Sequence, residues 1–271
     1  MEAIIGVANV AGRVGRTTTA MHLAAGLALK GFETLLVDCD PQARATALLL
    51  GDEWAGLSVA DVLRAPDANA PGVREQAPMT LSDVLATTEL GRLKLAPSAI
   101  ALAAVEGDDN PPGADSLRAQ LAALAGRFDF AVIDAPPSLG PLGVACRSAL
   151  THLLAPVAPE MRSVWGLQLL LESLGDMPCA AGPRVELLGV VCNLFDPGAR
   201  ASGEFYEGLR RLWGRKVFET IIHRDPLAGG YAGYPVQLYA PASNAAALYE
   251  QLTDEVLARL GVAGVEGAHA A

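Results

Sequence analysis

Apolar residues along this chain come in short unbroken blocks rather than in alternation. Residues 2–9 and 33–38 each hold such a block, which predicts strands covered on both faces. Between them, residues 17–30 have helical spacing. Met21, Leu23, Ala24, Leu27 and Ala28 fall on one side, and Gly31 supplies the stop. Strand, loop, helix and strand in that order predict a βαβ unit with a right-handed crossover. The alternation continues less regularly. Short helices are expected at 58–64 and 81–86, a strand at 92–95, a loop at 108–113 and a helix at 116–125. Strands follow at 130–134 and 153–157, then a helix at 163–174. Strand 185–194, helix 204–213, strand 217–221 and a closing helix at 243–260 complete the series. No linker divides the chain. The expectation is one α/β domain over residues 1–260, a doubly wound and mostly parallel sheet flanked by helices, with a disordered tail at 261–271. Its ligand is expected at the carboxyl ends of the strands.

Composition narrows the class. The chain has 271 residues, 51% of them hydrophobic and 18% charged, with mean hydropathy +0.30. That excludes a disordered chain. No apolar run is long enough to span a bilayer, and no basic segment precedes an apolar leader, so a soluble cytoplasmic protein without a membrane role is expected. Cys39, Cys146, Cys179 and Cys192 form no metal-type spacing and read as reduced core thiols. The net charge of −10 argues against a wholly basic nucleic-acid binder. The basic residues are three lysines and seventeen arginines.

The loop after the first strand reads Asn9-Val10-Ala11-Gly12-Arg13-Val14-Gly15-Arg16-Thr17-Thr18. A glycine-bearing loop between a strand and a helix can cradle phosphate with backbone N–H groups and a helix N-terminus. The ordinary phosphate-loop pattern needs Gly at 10 and Lys at 16; neither is present. Alone, the loop reads first as an ordinary glycine turn. Two strand ends add carboxylates: Val37-Asp38-Cys39-Asp40-Pro41-Gln42, and Phe130-Ala131-Val132-Ile133-Asp134 followed by Ala135-Pro136-Pro137-Ser138-Leu139-Gly140. A magnesium-bound nucleotide needs a hydroxyl at the helix start and acids at neighbouring strand ends. Thr17, Asp40 and Asp134 fit those roles. Each aspartate taken singly also reads as a cap or turn residue.

With these segments in this order, and with "PVAPE" at 156–160 and "YPVQLYAPASNAAALYEQL" at 234–252, nearly the whole chain resembles the ParA/Soj branch of the ParA–MinD family of P-loop ATPases. The resemblance implies a P-loop NTPase fold and a deviant Walker A loop, Lys-Gly-Gly-x-Gly-Lys-Thr-Thr, laid over residues 11–18. The chain departs from it at three places: Ala11 stands at the signature lysine, Arg13 at the second glycine and Arg16 at the P-loop lysine. In the family the signature lysine reaches the partner subunit's phosphates, which Ala11 cannot do. Arg16 keeps a charge but is larger and forked. Arg13 either substitutes for the missing charge or obstructs close approach.

The resemblance further implies ATP or ADP with Mg2+, held by Gly12, Arg13, Val14, Gly15, Arg16, Thr17 and Thr18. Metal contacts are implied for Thr17, Asp40 and Asp134. Asp40 would orient the attacking water, with Arg16 as the catalytic cation. Asn193 falls where relatives contact adenine, and reads equally as a satisfied strand-end amide. A homodimer, a ParB-like or cargo adaptor partner and non-specific DNA binding, with nucleoid association, are implied too. Arg200, Arg211, Arg215 and Arg224 are the candidate DNA contacts. From 195 to 224 six basic residues face four acidic ones, so a solvated helix face explains Arg211 and Arg215 equally. A MinD-like membrane role lacks a basic C-terminal amphipathic face, and a nitrogenase-iron-protein-like role lacks its cysteine loops. Two expectations remain open: an active partition ATPase with Arg16 and Arg13 as substitute cations, or a ParA-like protein with weak or lost hydrolysis, in the limit a nucleotide-independent regulatory or scaffolding module.

Overall fold

The computed structural model describes residues 1–64, 78–107, 111–175, 184–229 and 234–262. In chain order the elements are β1 (Ala3–Val7), α1 (Arg16–Leu29), β2 (Thr34–Asp38), α2 (Arg44–Leu50), α3 (Val59–Leu63), β3 (Ala86–Thr87) and β4 (Leu93–Ala96). They continue with α4 (Ser116–Ala122), β5 (Phe130–Asp134), α5 (Pro141–Ala149), β6 (His152–Val157), α6 (Met161–Gly175) and β7 (Glu186–Cys192). The series closes with α7 (Arg200–Trp213), α8 (Val236–Tyr239) and α9 (Asn244–Leu260). The sheet order is β3-β4-β2-β5-β1-β6-β7. Its pairings are parallel except β3 with β4 at the edge. This is the doubly wound α/β class that the apolar blocks predict.

The strand pleat sends alternate residues into two cores. Phe130 and Val132 of β5 join α1 and α9 on one face, while Ala131 and Ile133 join α3 to α7 on the other. Both faces are covered, which is why these strands carry no polar alternation. Gly26 lets α1 meet α9 closely, since a Cβ there would lie 2.2 Å from the Thr253 hydroxyl. Ser243 caps α9 through the Ala246 N–H, and left-handed Gly261 ends it.

Several expected elements shift. Segment 81–86 is a 3₁₀ turn (Leu81–Val84) running into β3, and the helix expected at 116–125 ends at Ala122. The expected strand at 217–221 makes only an isolated bridge beside β7, Val190 with Val217. The reason is a side-chain clamp from α9. Glu255 takes the N–H groups of Glu219 and Thr220 at 3.0 and 2.9 Å. Arg259 bonds Glu255 and the carbonyls of Leu188, Lys216 and Val217, and lies 3.8 Å over the Phe218 ring. Carboxylate and guanidinium replace part of the ladder and cover the sheet edge. Helices α2 and α5 lie outside the expected elements: α2 starts without a local side-chain cap, and α5 starts on a proline that reads as a turn. Three cysteines, Cys39, Cys146 and Cys192, are buried free thiols. Cys179, residues 108–110 of the expected loop and residues 263–271 of the expected tail lie outside the described residues. No helix among the described residues is long and apolar enough to cross a membrane.

A buried histidine ties the start of α1 to α8. His22 Nδ1 donates to Thr18 O at 2.7 Å, and Nε2 accepts the Val236 N–H at 3.1 Å. The ring stacks on Tyr249 at 4.2 Å. Burial lowers its pKa to about 4, against partial compensation from the Thr18 carbonyl. The folded pKa lies below the unfolded one, so His22 supports stability above about pH 6.5 and withdraws that support as pH falls toward 4. His22→Gln removes this titration. The stability gap between the wild-type protein and His22→Gln, measured by urea unfolding, is expected to shrink by about 2 kcal/mol from pH 7 to pH 5; a gap independent of pH contradicts the assignment.

Candidate functional site

The carboxyl ends of the central strands place the acids together. Asp134 on β5 pairs in register with Asp38 on β2 on one side and with Val7 on β1 on the other. Just beyond them lie loop 8–15, Asp40 and the residues after β7. Among the described residues, three non-glycine residues have positive φ: Arg13 (61°), Ala43 (50°) and Leu194 (56°). Each follows a sheet end on this edge, and each costs on the order of 1 kcal/mol. Backbone strain is concentrated where the loops turn over the strand ends.

The loop is fixed from beneath and from the side. Asn9 donates to the carbonyls of Pro156 and Ser163 at 2.9 and 3.0 Å, and its Oδ1 accepts the Ala11 N–H. Gly166 of α6 packs directly on it, since a Cβ there would lie 2.6 Å from Ala11 N and 2.9 Å from Ala11 Cβ. Left-handed Gly15 (φ 81°) turns the chain into α1. Asn193 lies under that turn. Its Nδ2 donates to Val14 O and Thr19 Oγ1 at 3.0 and 3.1 Å, and its Oδ1 accepts the Leu194 N–H. The buried amide is fully engaged by protein, which fits its reading as a satisfied strand-end amide that props the loop. Arg13 is exposed and makes no hydrogen bond or ion pair among the described residues. Its left-handed φ explains why a glycine suits this position.

Arg16 is buried at the first residue of α1 and folds back into the loop. Its Nη1 donates to Asn9 O at 2.9 Å and Ala11 O at 2.6 Å. Its Nε is buried without a partner. Desolvation lowers the guanidinium pKa, while Asp134 and then Asp40 oppose the shift and Arg44 adds to it. The group remains a cation. Arg44 is absent from the sequence-derived candidates. It opens α2, is exposed, and has no hydrogen bond or ion pair among the described residues.

The three carboxylates have different surroundings. Asp38 accepts the N–H of Asp40 and both the N–H and the hydroxyl of Thr46, at 3.1, 2.9 and 2.8 Å. Burial outweighs these bonds and raises its pKa to about 6. Asp38 therefore orders the start of α2, a structural role signalled by a threonine eight residues on. Asp40 accepts the Gln42 N–H, and its backbone carbonyl accepts the Ser98 hydroxyl. Asp134 is fully buried and has no donor in hydrogen-bonding geometry on either oxygen. Burial and then Asp38 drive its pKa well above the usual range, with a further push from Asp40; the nearby Thr17 hydroxyl and Arg16 cation only partly offset them.

An orphaned buried carboxylate, a hydroxyl beside it and an α1 N-terminus with no side-chain cap and no acid in its first turn fit a magnesium-bound phosphate. Thr17, Asp134 and Asp40 would hold the metal, and residues 12–18 the phosphates. The structure brings these residues together at one edge. It does not gather the four candidate DNA residues into an unopposed patch. Arg200 is paired with Glu204 at 2.7 Å. Arg215 lines a groove of about 1060 Å³ with Arg210 and Arg259, but Glu219, Asp254 and Glu255 line it too. Arg211 and Arg224 are exposed, and neither side chain has a partner among the described residues.

Comparison with known proteins places this geometry in context. The AAA domain family pattern matches residues 2–183. The chain is 32% identical to the chromosome-partitioning ATPase Soj of Treponema pallidum, over 93% of this chain and 96% of that protein. It is 31% identical to the chromosome partitioning protein ParA of Myxococcus xanthus, over 94% and 88%. It superposes with TM-score 0.76 and 28% identity on cobyrinic acid a,c-diamide synthase from Mycobacterium smegmatis, crystallised with ADP and magnesium, covering 94% and 93% of the two chains.

Asp134→Asn tests the orphaned carboxylate. Because the folded pKa is raised, stability is lost as pH climbs from the ordinary carboxylate range through it. At pH 7.5 without ligand, Asp134→Asn is expected to stabilise the protein by about 1–3 kcal/mol in urea unfolding, the cost of an unsatisfied buried polar group. The gain is expected to fade toward pH 4. Destabilisation at pH 7.5 would show that the carboxylate already has a structural partner.

Proposed function

We propose, starting from the fact that this chain belongs to the Soj/ParA family of P-loop ATPases, that it binds a magnesium nucleotide over loop 9–18. We assign it to DNA or cargo partitioning, with hydrolysis far below that of a lysine-bearing loop. The observation that carries the nucleotide reading is Asp134, a buried carboxylate with no donor of its own beside Thr17 at an open helix N-terminus. Magnesium, which Thr17, Asp40 and Asp134 would hold, would supply charge neutralisation for phosphoryl transfer.

The chain's own residues divide the remaining work. Backbone N–H groups at the start of α1 receive phosphate oxygens. Asp40 stands at the end of β2 with one oxygen on the Gln42 N–H, which leaves the other to orient water. Arg16 supplies a cation already anchored by two loop carbonyls. The missing part is a cation crossing between subunits. Ala11 offers a methyl group packed toward Gly166, and a group of the lost kind is worth roughly 10³–10⁵ in rate. Arg13 and Arg44 are cations at the rim without a hydrogen bond or ion pair among the described residues, so nothing described fixes either as a finger. For DNA, Arg211, Arg215 and Arg224 are the cations free to meet phosphates, in keeping with a modest, salt-sensitive affinity.

Calorimetry with ATP and steady-state hydrolysis test this reading. ATP is expected to bind more tightly with magnesium than with EDTA, with little turnover. Ala11→Lys/Arg13→Gly/Arg16→Lys is expected to raise turnover about 10³-fold, an increase abolished by adding Asp40→Ala. Absence of ATP binding, or wild-type turnover equal to that of the restored loop, overturns it.

A further inference from the structure

The segment that follows β5 has few donors of its own. Residues 135–141 read Ala-Pro-Pro-Ser-Leu-Gly-Pro, and its three prolines supply no N–H. Its carbonyls are therefore the handles by which another element can hold it. Arg147 of α5 takes two of them. Its Nη1 donates to Ser138 O at 2.9 Å and its Nη2 to Leu139 O at 3.2 Å. Gly143, one turn earlier on the same side of α5, leaves room for this contact. A Cβ there would lie 2.1 Å from Ser138 O and 2.8 Å from Arg147 Nη1. Arg147 is 4% exposed, and its Nε is buried without a partner. An arginine is rarely buried so far with carbonyls as its only acceptors. For stability alone, an apolar residue of similar size would serve as well.

What this buried cation holds is the chain next to Asp134. Neither Asp134 oxygen has a donor in bonding geometry, so the carboxylate is placed by its backbone. On one side the backbone is fixed by the ladder, in register with Val7 and Asp38. On the other side Ala135 reaches Val7 O at a long 3.4 Å. The next hydrogen bonds from the loop to another element, among the described residues, are the two from Arg147. Arg16 closes loop 9–15 in the same way, with a buried guanidinium on two carbonyls. We propose that Arg147 is a positioning residue for the metal site. It fixes loop 135–140 before any ligand arrives, and so holds the Asp134 carboxylate where magnesium would meet it. This rests on the magnesium-nucleotide reading and adds a residue that acts through Asp134 rather than on the ligand.

Calorimetry of ATP binding, run once in magnesium and once in EDTA, tests it. Arg147→Met is expected to keep the wild-type melting temperature, because an apolar residue of similar size replaces a buried cation. Its affinity for ATP in EDTA is expected to match the wild type. Its affinity in magnesium is expected to fall about tenfold, a usual cost of losing a group that orients a metal ligand. Arg147→Lys still reaches a carbonyl and is expected to recover part of that loss. Gly143→Ala presses on Ser138 O with Arg147 in place, and is expected to lose magnesium-dependent affinity in the same way. In an Asp134→Asn background the carboxylate being positioned is gone, so Arg147→Met is expected to change nothing further. Wild-type magnesium dependence in Arg147→Met and Gly143→Ala, or a loss that persists undiminished beside Asp134→Asn, would overturn this inference and leave the nucleotide reading standing. A wild-type protein that binds no ATP would overturn both.

Discussion

The candidate site depends on how loop 9–18 accommodates a guanidinium. Arg16 is buried where α1 begins, and its Nη1 bridges the carbonyls of Asn9 and Ala11. The cation closes the loop from inside by taking two of its carbonyls. Other supports hold the same loop. Asn9 reaches Pro156 and Ser163, Asn193 holds Val14 and Thr19, and Gly166 leaves room for α6 to lie against Ala11. Arg cannot stand in for Lys by charge alone, because its planar fork takes up acceptors in fixed directions.

Across from Arg16, the sheet holds a charge problem that the protein alone does not solve. Asp38 and Asp134 are neighbours in register on parallel strands, and both are buried. Asp38 has three donors, which offset the cost of its burial in part. Asp134 has none in bonding geometry. Perturbed buried acids of this kind collect at functional sites, where stability is given up for charge placed against a ligand. Three strained non-glycine residues on the same edge point the same way.

Much of this was legible in the residues. Short apolar blocks such as residues 130–133 fit interior strands, and the loop, Thr17, Asp40 and Asp134 fall together because parallel strands deliver their carboxyl ends to one edge. The segment at 217–221 was less legible, because its ladder bonds are displaced by Glu255 and Arg259, more than thirty residues away in sequence. The same holds for α2, whose start is fixed by Asp38 across a turn rather than by a neighbouring cap. Arg44 looked like one of many arginines until the fold placed it near Arg16. Asn193 showed both of its readings in sequence; only the packing under Gly15 reveals how its amide is spent.

The central claim is that loop 9–18 and the neighbouring strand ends still form one magnesium-nucleotide pocket despite the altered cations. Amide hydrogen exchange with and without ATP reads this directly, because it reports on each loop without requiring turnover. Slowed exchange at residues 11–19 and 40–46 that needs ATP and magnesium together is the predicted result. Exchange in both segments that is unchanged by ATP at saturating magnesium would contradict the claim.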